Sequence, residues 1–127
     1  MNFSESPEFI KEVKHFSKKW RSVPNDVKAV KQYILPLYKQ LDNGVDLVQY
    51  RKSFFNGKTA TIIYSEIDIE VIKMRLDIEC LGGSDKVRIV FVAIKKNDEI
   101  KFIEMYAKND KEREDQKRIK KYLNWKE

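Results

Sequence analysis

Residues 86–110, KVRIVFVAIKKNDEIKFIEMYAKND, contain the pattern from which the rest of the chain can be placed. Residues 87–94 are an almost continuous apolar run, and a strand that is apolar on both faces is typical of the centre of a sheet. Residues 95–99 have a turn composition, and residues 100–107 alternate loosely between apolar and polar side chains. The pattern therefore predicts a central hairpin covered on both faces.

Three polar side chains lie near the open end of this hairpin: Arg88, Tyr106 and Lys108. Because the two ends of a hairpin lie side by side, we expect these groups to cluster at one rim of the sheet and to mark the functional site. Whether Arg88 and Tyr106 share a face depends on register, since an odd loop length puts them on one face and an even length separates them. The sequence does not determine the register. It also leaves open whether Arg88 forms an ion pair with Glu104.

Length and composition predict one soluble domain over residues 1–127. Hydrophobic residues make up 42% and charged residues 36% of the chain, which is typical of a folded globular protein. No apolar run approaches the roughly 20 residues of a membrane helix, and the N-terminus does not read as a signal peptide. With Cys80 as the single cysteine, we expect a cytoplasmic, reducing location. The net charge of +6 favours an anionic partner such as RNA, the ribosome or an acidic protein.

The N-terminal third predicts a short edge strand followed by two helices. The strand lies around Phe3, and the first helix has Ser6 as its N-cap and ends near residues 20–22. The second helix starts at residues 24–26 and stops at Asn43-Gly44. The two helices are expected to cover a sheet as one layer.

The middle of the chain gives one weak and one strong strand signal. Arg51-Lys52 indicates a loop or turn, and a short strand is predicted over residues 59–64. Residues 69–80 alternate strictly and predict a strand with Cys80 on its apolar face, as a buried thiol.

The C-terminal segment predicts a highly charged helix. Asn109 or Asp110 would cap it, and its narrow apolar stripe, formed by Ile119, Tyr122 and Leu123, predicts weak packing that a partner could complete. The resulting order, β-α-α-(β)-β-β-β-α, predicts an α+β fold. We expect a small antiparallel sheet with the two N-terminal helices packed on one face and a C-terminal helix, so that the helices are gathered on one face of the sheet.

Five residues form a candidate phosphate-binding surface: Lys73, Arg75, Arg88, Tyr106 and Lys108. Arginine and lysine place charge and N–H donors on phosphate oxygens, and they can stabilise the extra negative charge of a transition state. A lysine in a dense basic cluster can serve as a base, and a tyrosine can stack on an unpaired base or assist proton transfer.

An alternative interpretation is that these residues have a structural role and no function. Lys73 and Arg75 share a strand face with Asp77 and Glu79, so they can also form a solvated, charge-balanced surface, and Tyr106 can belong to the core. No metal or cofactor site is predicted, because the chain has a single histidine and a single cysteine and lacks the glycine-rich phosphate loops. That histidine, His15, is expected to be a surface or helix-packing residue.

The order of these pieces resembles the RelE/HigB group of bacterial type II toxins. KVRIVFV, a polar turn and IKFIEMYAKNDKE followed by a basic helix are similar to that group's arginine-bearing strand, its "YAKN"-like strand end and its last helix. SPEFIKEVKHFSKKW resembles its first helix, and IKMRL its preceding strand with paired basic residues. The resemblance covers roughly residues 1–22 and 70–123.

The resemblance implies a RelE-like mRNA interferase of the RelE/ParE superfamily, a metal-independent endoribonuclease acting on ribosome-bound mRNA. The RNA's own 2′-hydroxyl would attack the adjacent phosphate. Lys73 would be the proton acceptor, Arg75 and Arg88 would contact the phosphate and the transition state, and Lys108 would be a further phosphate contact. Five further basic residues are candidate RNA contacts: Arg51, Lys52, Lys86, Arg113 and Lys117. The expected partners are a cognate antitoxin and ribosome-bound mRNA and rRNA, with no membrane and no small-molecule cofactor.

Two other functions remain open at this point. A gyrase-inhibiting toxin of the ParE type would share the scaffold without needing the basic cluster. A non-catalytic basic domain of the same fold would bind RNA or a protein partner without cleavage, with an affinity that falls steeply as salt rises.

Overall fold

The computed structural model describes residues 2–38, 47–82 and 86–124. The helices are α1 (Pro7–Lys19), α2 (Val23–Tyr38), α3 (Leu47–Phe54) and α4 (Gln116–Asn124), and the strands are β1 (Asn2–Glu5), β2 (Ala60–Ser65), β3 (Ile69–Leu76), β4 (Val87–Ile94) and β5 (Glu99–Ala107). The helix stop predicted at Asn43-Gly44 lies outside the described residues. Within them, no helix combines the length and the apolar character needed to cross a membrane.

The five strands form one sheet in the order β1-β5-β4-β3-β2, so the apolar strand β4 occupies the centre, as predicted. The predicted α+β fold class is confirmed, with one difference: the sheet is mixed instead of antiparallel, because β1 pairs with β5 in parallel. The chain must pass directly from β1 into α1, and that helix is fixed over β5. The Ser6 N–H donates to the Phe102 carbonyl at 2.9 Å, and the rings of Phe9 and Phe102 stack at 5.3 Å. Ser6 is also the N-cap of α1, as predicted, because its hydroxyl accepts from the Phe9 N–H.

The sheet has a separate apolar core on each face. Helices α1, α2 and α3 cover one face, over a core that includes Ile72, Phe91 and Phe102. Helix α4 covers the opposite face, where Ile119 and Tyr122 pack against Val90 and Ile103 among others. The helices are therefore not gathered on one face, because β3, β4 and β5 are apolar on both sides and each side requires its own cover.

Helix α4 begins later than its sequence predicts. Asp115 caps it, accepting from the Arg118 N–H at 3.0 Å, instead of Asn109 or Asp110. The predicted apolar stripe is supplemented by polar anchors, since the Arg118 guanidinium donates to Glu12 at 2.9 Å and to the Ile103 carbonyl at 3.0 Å. These contacts join α4 to both α1 and β5.

Two further predictions in the middle of the chain are wrong. Arg51 and Lys52 belong to helix α3 instead of a loop, because Arg51 is held against α2 and β3 by its side-chain contacts. Strand β3 ends at Leu76, and Cys80 is exposed in a short 3-10 turn instead of buried. The turn forms because the Cys80 N–H donates to the Ser22 hydroxyl at 3.1 Å, which draws the chain away from the sheet.

Candidate functional site

Three polar side chains lie in one line across the sheet. Arg75 of β3 is directly opposite Arg88 of β4, and Arg88 is directly opposite Tyr106 of β5. Residues directly opposite each other in neighbouring antiparallel strands project to the same face. Arg75, Arg88 and Tyr106, called the basic row below, therefore share the face that α4 partly covers.

A β-bulge in β5 sets this register. Near the turn, Ile94 pairs with Glu99. If this register continued unchanged along the hairpin, Met105 would lie opposite Arg88. The pairing shifts by one residue after Phe91, where Ile103 becomes the extra residue of β5, and the shift brings Tyr106 opposite Arg88. The bulge is held from outside the sheet, since the Ile103 carbonyl accepts from Arg118 and the Met105 N–H donates to Glu12 at 3.0 Å.

Lys73 lies on the same face as the basic row, one step along β3. Its ammonium is 3.2 Å from the carboxylate of Glu114, whose side chain is only 6% exposed. Arg75 forms an ion pair with Asp77 at 3.3 Å, which matches part of the charge-balanced alternative. The side chains of Lys73 and Arg75 nevertheless remain 29% and 35% exposed, so an anion can reach both.

The cations open onto a cleft of about 190 Å³ at the edge of the sheet, called the basic cleft below. Residues 57–61, residues 73–75 and Arg88 line it. The lining combines four cationic side chains (Lys58, Lys73, Arg75 and Arg88) with the backbone and hydroxyl groups of two threonines. Such a concentration of donors fits an oxyanion such as phosphate.

Tyr106 closes one end of the basic row. It is buried, with 5% of its surface exposed, so it also belongs to the core under α4. Burial raises the pKa of Tyr106 to about 12, the nearby Glu114 and Glu104 carboxylates act in the same direction, and Arg88 opposes them. At neutral pH the phenol keeps its proton, so it can act as an O–H donor and not as a base.

The structure brings some of the other predicted RNA contacts near the row and places others elsewhere. Lys86 and Lys108 meet at the same end of the hairpin, where the Lys108 N–H donates to the Lys86 carbonyl at 2.8 Å. Arg113 and Lys117 are exposed, before and within α4, and Lys52 is exposed on α3.

Arg51 lies away from the basic row. Its guanidinium donates to the buried carboxylate of Glu70 at 2.6 Å and lies over the rings of Tyr38 and Phe55, at 5.6 and 5.1 Å. Glu70 is near the start of β3, whereas Arg75 is near its end. Arg51 is therefore engaged in joining α3 to the sheet.

Sequence reasoning missed two charged groups around the row, Glu114 and Lys111, and considered Glu104 only as a partner of Arg88. Glu104 is fully buried, accepts from the Asp115 N–H at 2.9 Å and forms an ion pair with Lys111, whose ammonium is 5.2 Å from the Tyr106 ring centroid. A glutamate inside an apolar strand was an available signal for Glu104, since such a group needs a buried partner. Nothing in the local pattern marked Glu114, because the segment before α4 has no periodicity.

Comparison of the chain with protein-family models, with curated proteins and with solved structures found no match. Among the described residues, no three histidine, cysteine, aspartate or glutamate side chains come together in a way that could hold a metal ion. The arrangement of the site itself is therefore the basis for assigning a function.

Proposed function

We propose that this protein is a metal-independent endoribonuclease that cleaves ribosome-bound mRNA, acting as the toxin of a type II toxin-antitoxin system. The observation that carries the proposal is the basic row: Arg75 and Arg88 lie directly opposite each other on neighbouring strands, with Tyr106 next in line. The same residues carried the resemblance to the RelE/HigB toxins. Their alignment supports the proposal because Arg75 and Arg88, from neighbouring strands, line one oxyanion-sized cleft and Tyr106 lies directly opposite Arg88.

In the proposed reaction the 2′-hydroxyl of the RNA attacks the adjacent phosphate. Arg75 and Arg88 donate to the non-bridging oxygens and stabilise the charge that builds up in the transition state. Tyr106 contributes its O–H as a further donor. Lys108 contacts a neighbouring phosphate at the end of the hairpin.

Lys73 is the proposed proton acceptor, and its contact with Glu114 adds a condition to that role. An ammonium held by a carboxylate at 3.2 Å has no free lone pair. Lys73 must therefore first release one ammonium proton to solvent, and the neutral amine can then take the 2′-hydroxyl proton. The group that protonates the leaving oxygen is not assigned.

The proposed partners follow from the charge of the surface. The basic cleft would bind mRNA, and the exposed cations Lys86, Lys108, Arg113 and Lys117 would extend that contact to neighbouring mRNA and rRNA. An acidic antitoxin would neutralise the same surface. The protein would act in the cytoplasm, where the ribosomes are.

Brief expression in a bacterium, followed by mapping of new mRNA 5′ ends, tests the proposal. We expect cuts confined to translated frames, at a fixed position within codons. The triple variant Lys73→Ala, Arg75→Ala and Arg88→Ala should abolish the cuts while keeping the thermal unfolding transition. The matched control removes three exposed cations of α1, by Lys11→Ala, Lys14→Ala and Lys18→Ala, and should cut like the wild type.

Three outcomes would contradict the proposal. Unchanged cutting by the triple variant would show that the basic row is not the site. Growth arrest with intact mRNA and gyrase-dependent DNA breaks would identify a ParE-type toxin. RNA binding without arrest or cuts would identify a non-catalytic binding domain.

A further inference from the structure

A cavity of about 480 Å³ lies between α2, α3 and the end of β3. Its lining includes three aromatic side chains and three carboxylates: Tyr33, Tyr50, Phe54, Asp26, Asp77 and Glu79. A volume of several hundred cubic ångströms with a largely apolar wall, some aromatic side chains and a few polar groups is typical of a site for a small ligand. This cavity is on the face of the sheet covered by α1 to α3, and of the basic row only Arg75 lines it.

The cavity adjoins the basic cleft. Thr59, Met74 and Arg75 line both spaces. Arg75 stands at the boundary, because its side chain lines the cleft with Arg88 and is paired with Asp77, which lines only the cavity. A ligand whose anionic group is bound at Arg75 can therefore extend into the cavity.

The two spaces carry opposite charge. The basic cleft contains Lys58, Lys73 and Arg88 besides Arg75, and none of the described residues that line it is acidic. The carboxylates of the cavity would repel a phosphate and would accept hydrogen bonds from N–H groups. A nucleotide has the same division, with an anionic phosphate at one end and a flat ring with N–H donors at the other.

We propose that this cavity receives an unpaired nucleobase with an exocyclic amino group, adenine, cytosine or guanine, from the RNA whose phosphate binds in the basic cleft. The inference rests on the proposed function, because it assigns the neighbouring nucleotide of the same substrate. Base stacking on tyrosine is a common way to hold single-stranded RNA, and Tyr33, which is 60% exposed, offers the accessible ring.

Two of the three carboxylates are available for the amino group. Asp26 is engaged inside the protein, since it accepts from the Ser22 hydroxyl at 2.7 Å and from the Glu79 N–H at 3.3 Å. Asp77 and Glu79 are exposed, and the Asp77 carboxylate has lone pairs beyond its ion pair with Arg75, so these two are the acceptors for the base. Uracil has a carbonyl oxygen where cytosine has the amino group, so the same carboxylates would repel that oxygen and could accept only from the ring N3–H.

Free nucleosides test the cavity without the phosphate. We expect adenosine and cytidine, added to the full chain, to shift NMR signals of Tyr33 and Met74, and uridine to shift them far less. Ala29 is an exposed cavity residue of α2, so Ala29→Phe should fill the space without entering the core. This variant should bind the two nucleosides about tenfold more weakly, which is roughly the value of one base-stacking contact.

Gln32→Phe is the matched control, because it introduces the same ring at an exposed position of α2 that does not line the cavity. It should bind nucleosides like the wild type. In mRNA mapping, Ala29→Phe should continue to cut but lose its preference for amino-bearing bases at the cut.

The results separate the two proposals. Nucleoside binding without mRNA cuts would reject the nuclease and keep the base cavity. The base cavity is rejected if mRNA is cut with the same base preference by Ala29→Phe and by the wild type. It is also rejected if the wild type binds no nucleoside, or binds uridine as well as cytidine.

Discussion

The two ends of strand β3 each contain a group of charged side chains, and the groups differ in how their cations are used. Near the start, the buried carboxylate of Glu70 accepts from Arg51 and from the Tyr38 hydroxyl, with Lys95 at 3.6 Å. Near the end, about 17 Å away at the usual rise per strand residue, Arg75 lies beside Arg88 at the mouth of the basic cleft.

The difference lies in the position of the acid relative to the cations. At the start of β3, one buried carboxylate lies at the centre and the cations surround it, so they stabilise the fold. At the end, Arg75 and Arg88 are side by side, and Asp77 is exposed at the edge. Because Arg75 and Arg88 line the basic cleft side by side, an external anion can contact both, which is why we assign function to this end only.

The largest expected effect is on cleavage at the basic row. Arg88→Ala should lower the rate of RNA cleavage about 100-fold, because it removes a donor to the transition-state oxyanion. Single-turnover cleavage in a translating extract measures this. Lys96→Ala, which removes an exposed cation at the other end of the hairpin, is the control and should cleave normally. An equal loss in both variants would remove the distinction between the two ends.

The second-largest effect is expected on the stability of the protein, at the start of β3 around Glu70. Arg51→Met should lower the free energy of unfolding by about 3 kcal/mol, since it leaves a buried carboxylate without its main partner. Urea unfolding measures the loss, and the exposed neighbour Lys52→Met provides the control. If Arg51→Met is as stable as that control but binds RNA more weakly, the cations at this end also serve as RNA contacts.

The bulge that aligns the basic row can be tested from α4. Arg118→Met should cost about 2 kcal/mol of stability and also slow cleavage, because it removes the donors to Glu12 and to the Ile103 carbonyl. Amide NMR shifts of residues 101–107 should change with it. Lys117→Met, exposed on the same helix, should change neither property. Normal cleavage with an intact fold would show that the bulge does not need this anchor.

A smaller effect is expected in acid, at the contact between α1 and α4. Burial alone would raise the pKa of Glu8, but hydrogen bonds from Lys121 and Tyr122 outweigh it and lower the pKa from 4.5 to about 2. A lowered carboxyl pKa contributes stability above pH 4.5 that is lost as the pH falls towards 2.

Glu8→Gln should therefore be less stable than the wild type by about 1 kcal/mol at pH 7, and the gap should close between pH 4.5 and pH 2. Thermal unfolding across this range measures it. Glu112→Gln, which replaces an exposed glutamate, should show no such pH dependence. A gap that persists at pH 2 would mean that the Glu8 charge is not its cause.

The smallest effect concerns the acid next to Lys73. Glu114→Gln should tighten RNA binding about threefold and make it more sensitive to salt, because the Lys73 ammonium becomes available to a phosphate. Asp110→Asn, an exposed acid in the same segment, corrects for the change in net charge. If binding is kept while cleavage is lost, Glu114 and not Lys73 is the proton acceptor.

Part of the site could be predicted from the sequence because it depends on local pattern. The alternation of β3 placed Lys73 and Arg75 on one face, and the polar ends of the hairpin located Arg88 and Tyr106 at one rim. The roles of Arg51 and Glu114 could not be predicted, since each is decided by a partner distant in sequence. Arg51 pairs with Glu70 from another element, and Glu114 reaches Lys73 across the sheet face.

The sequence by itself determined the α+β class and most of the elements, although not helix α3. Ser6 begins α1 through its own hydroxyl, and the apolar run of β4 requires a central position. Tertiary structure alone decided the direction of β1 and the alignment of Arg88 with Tyr106. The register set by the loop before β5 would place Met105 opposite Arg88, and the bulge at Ile103 places Tyr106 there instead. Local hydrogen bonds and apolar periodicity act over a few residues, whereas strand direction and register are fixed by contacts with α1 and α4 that form only when the whole chain is packed.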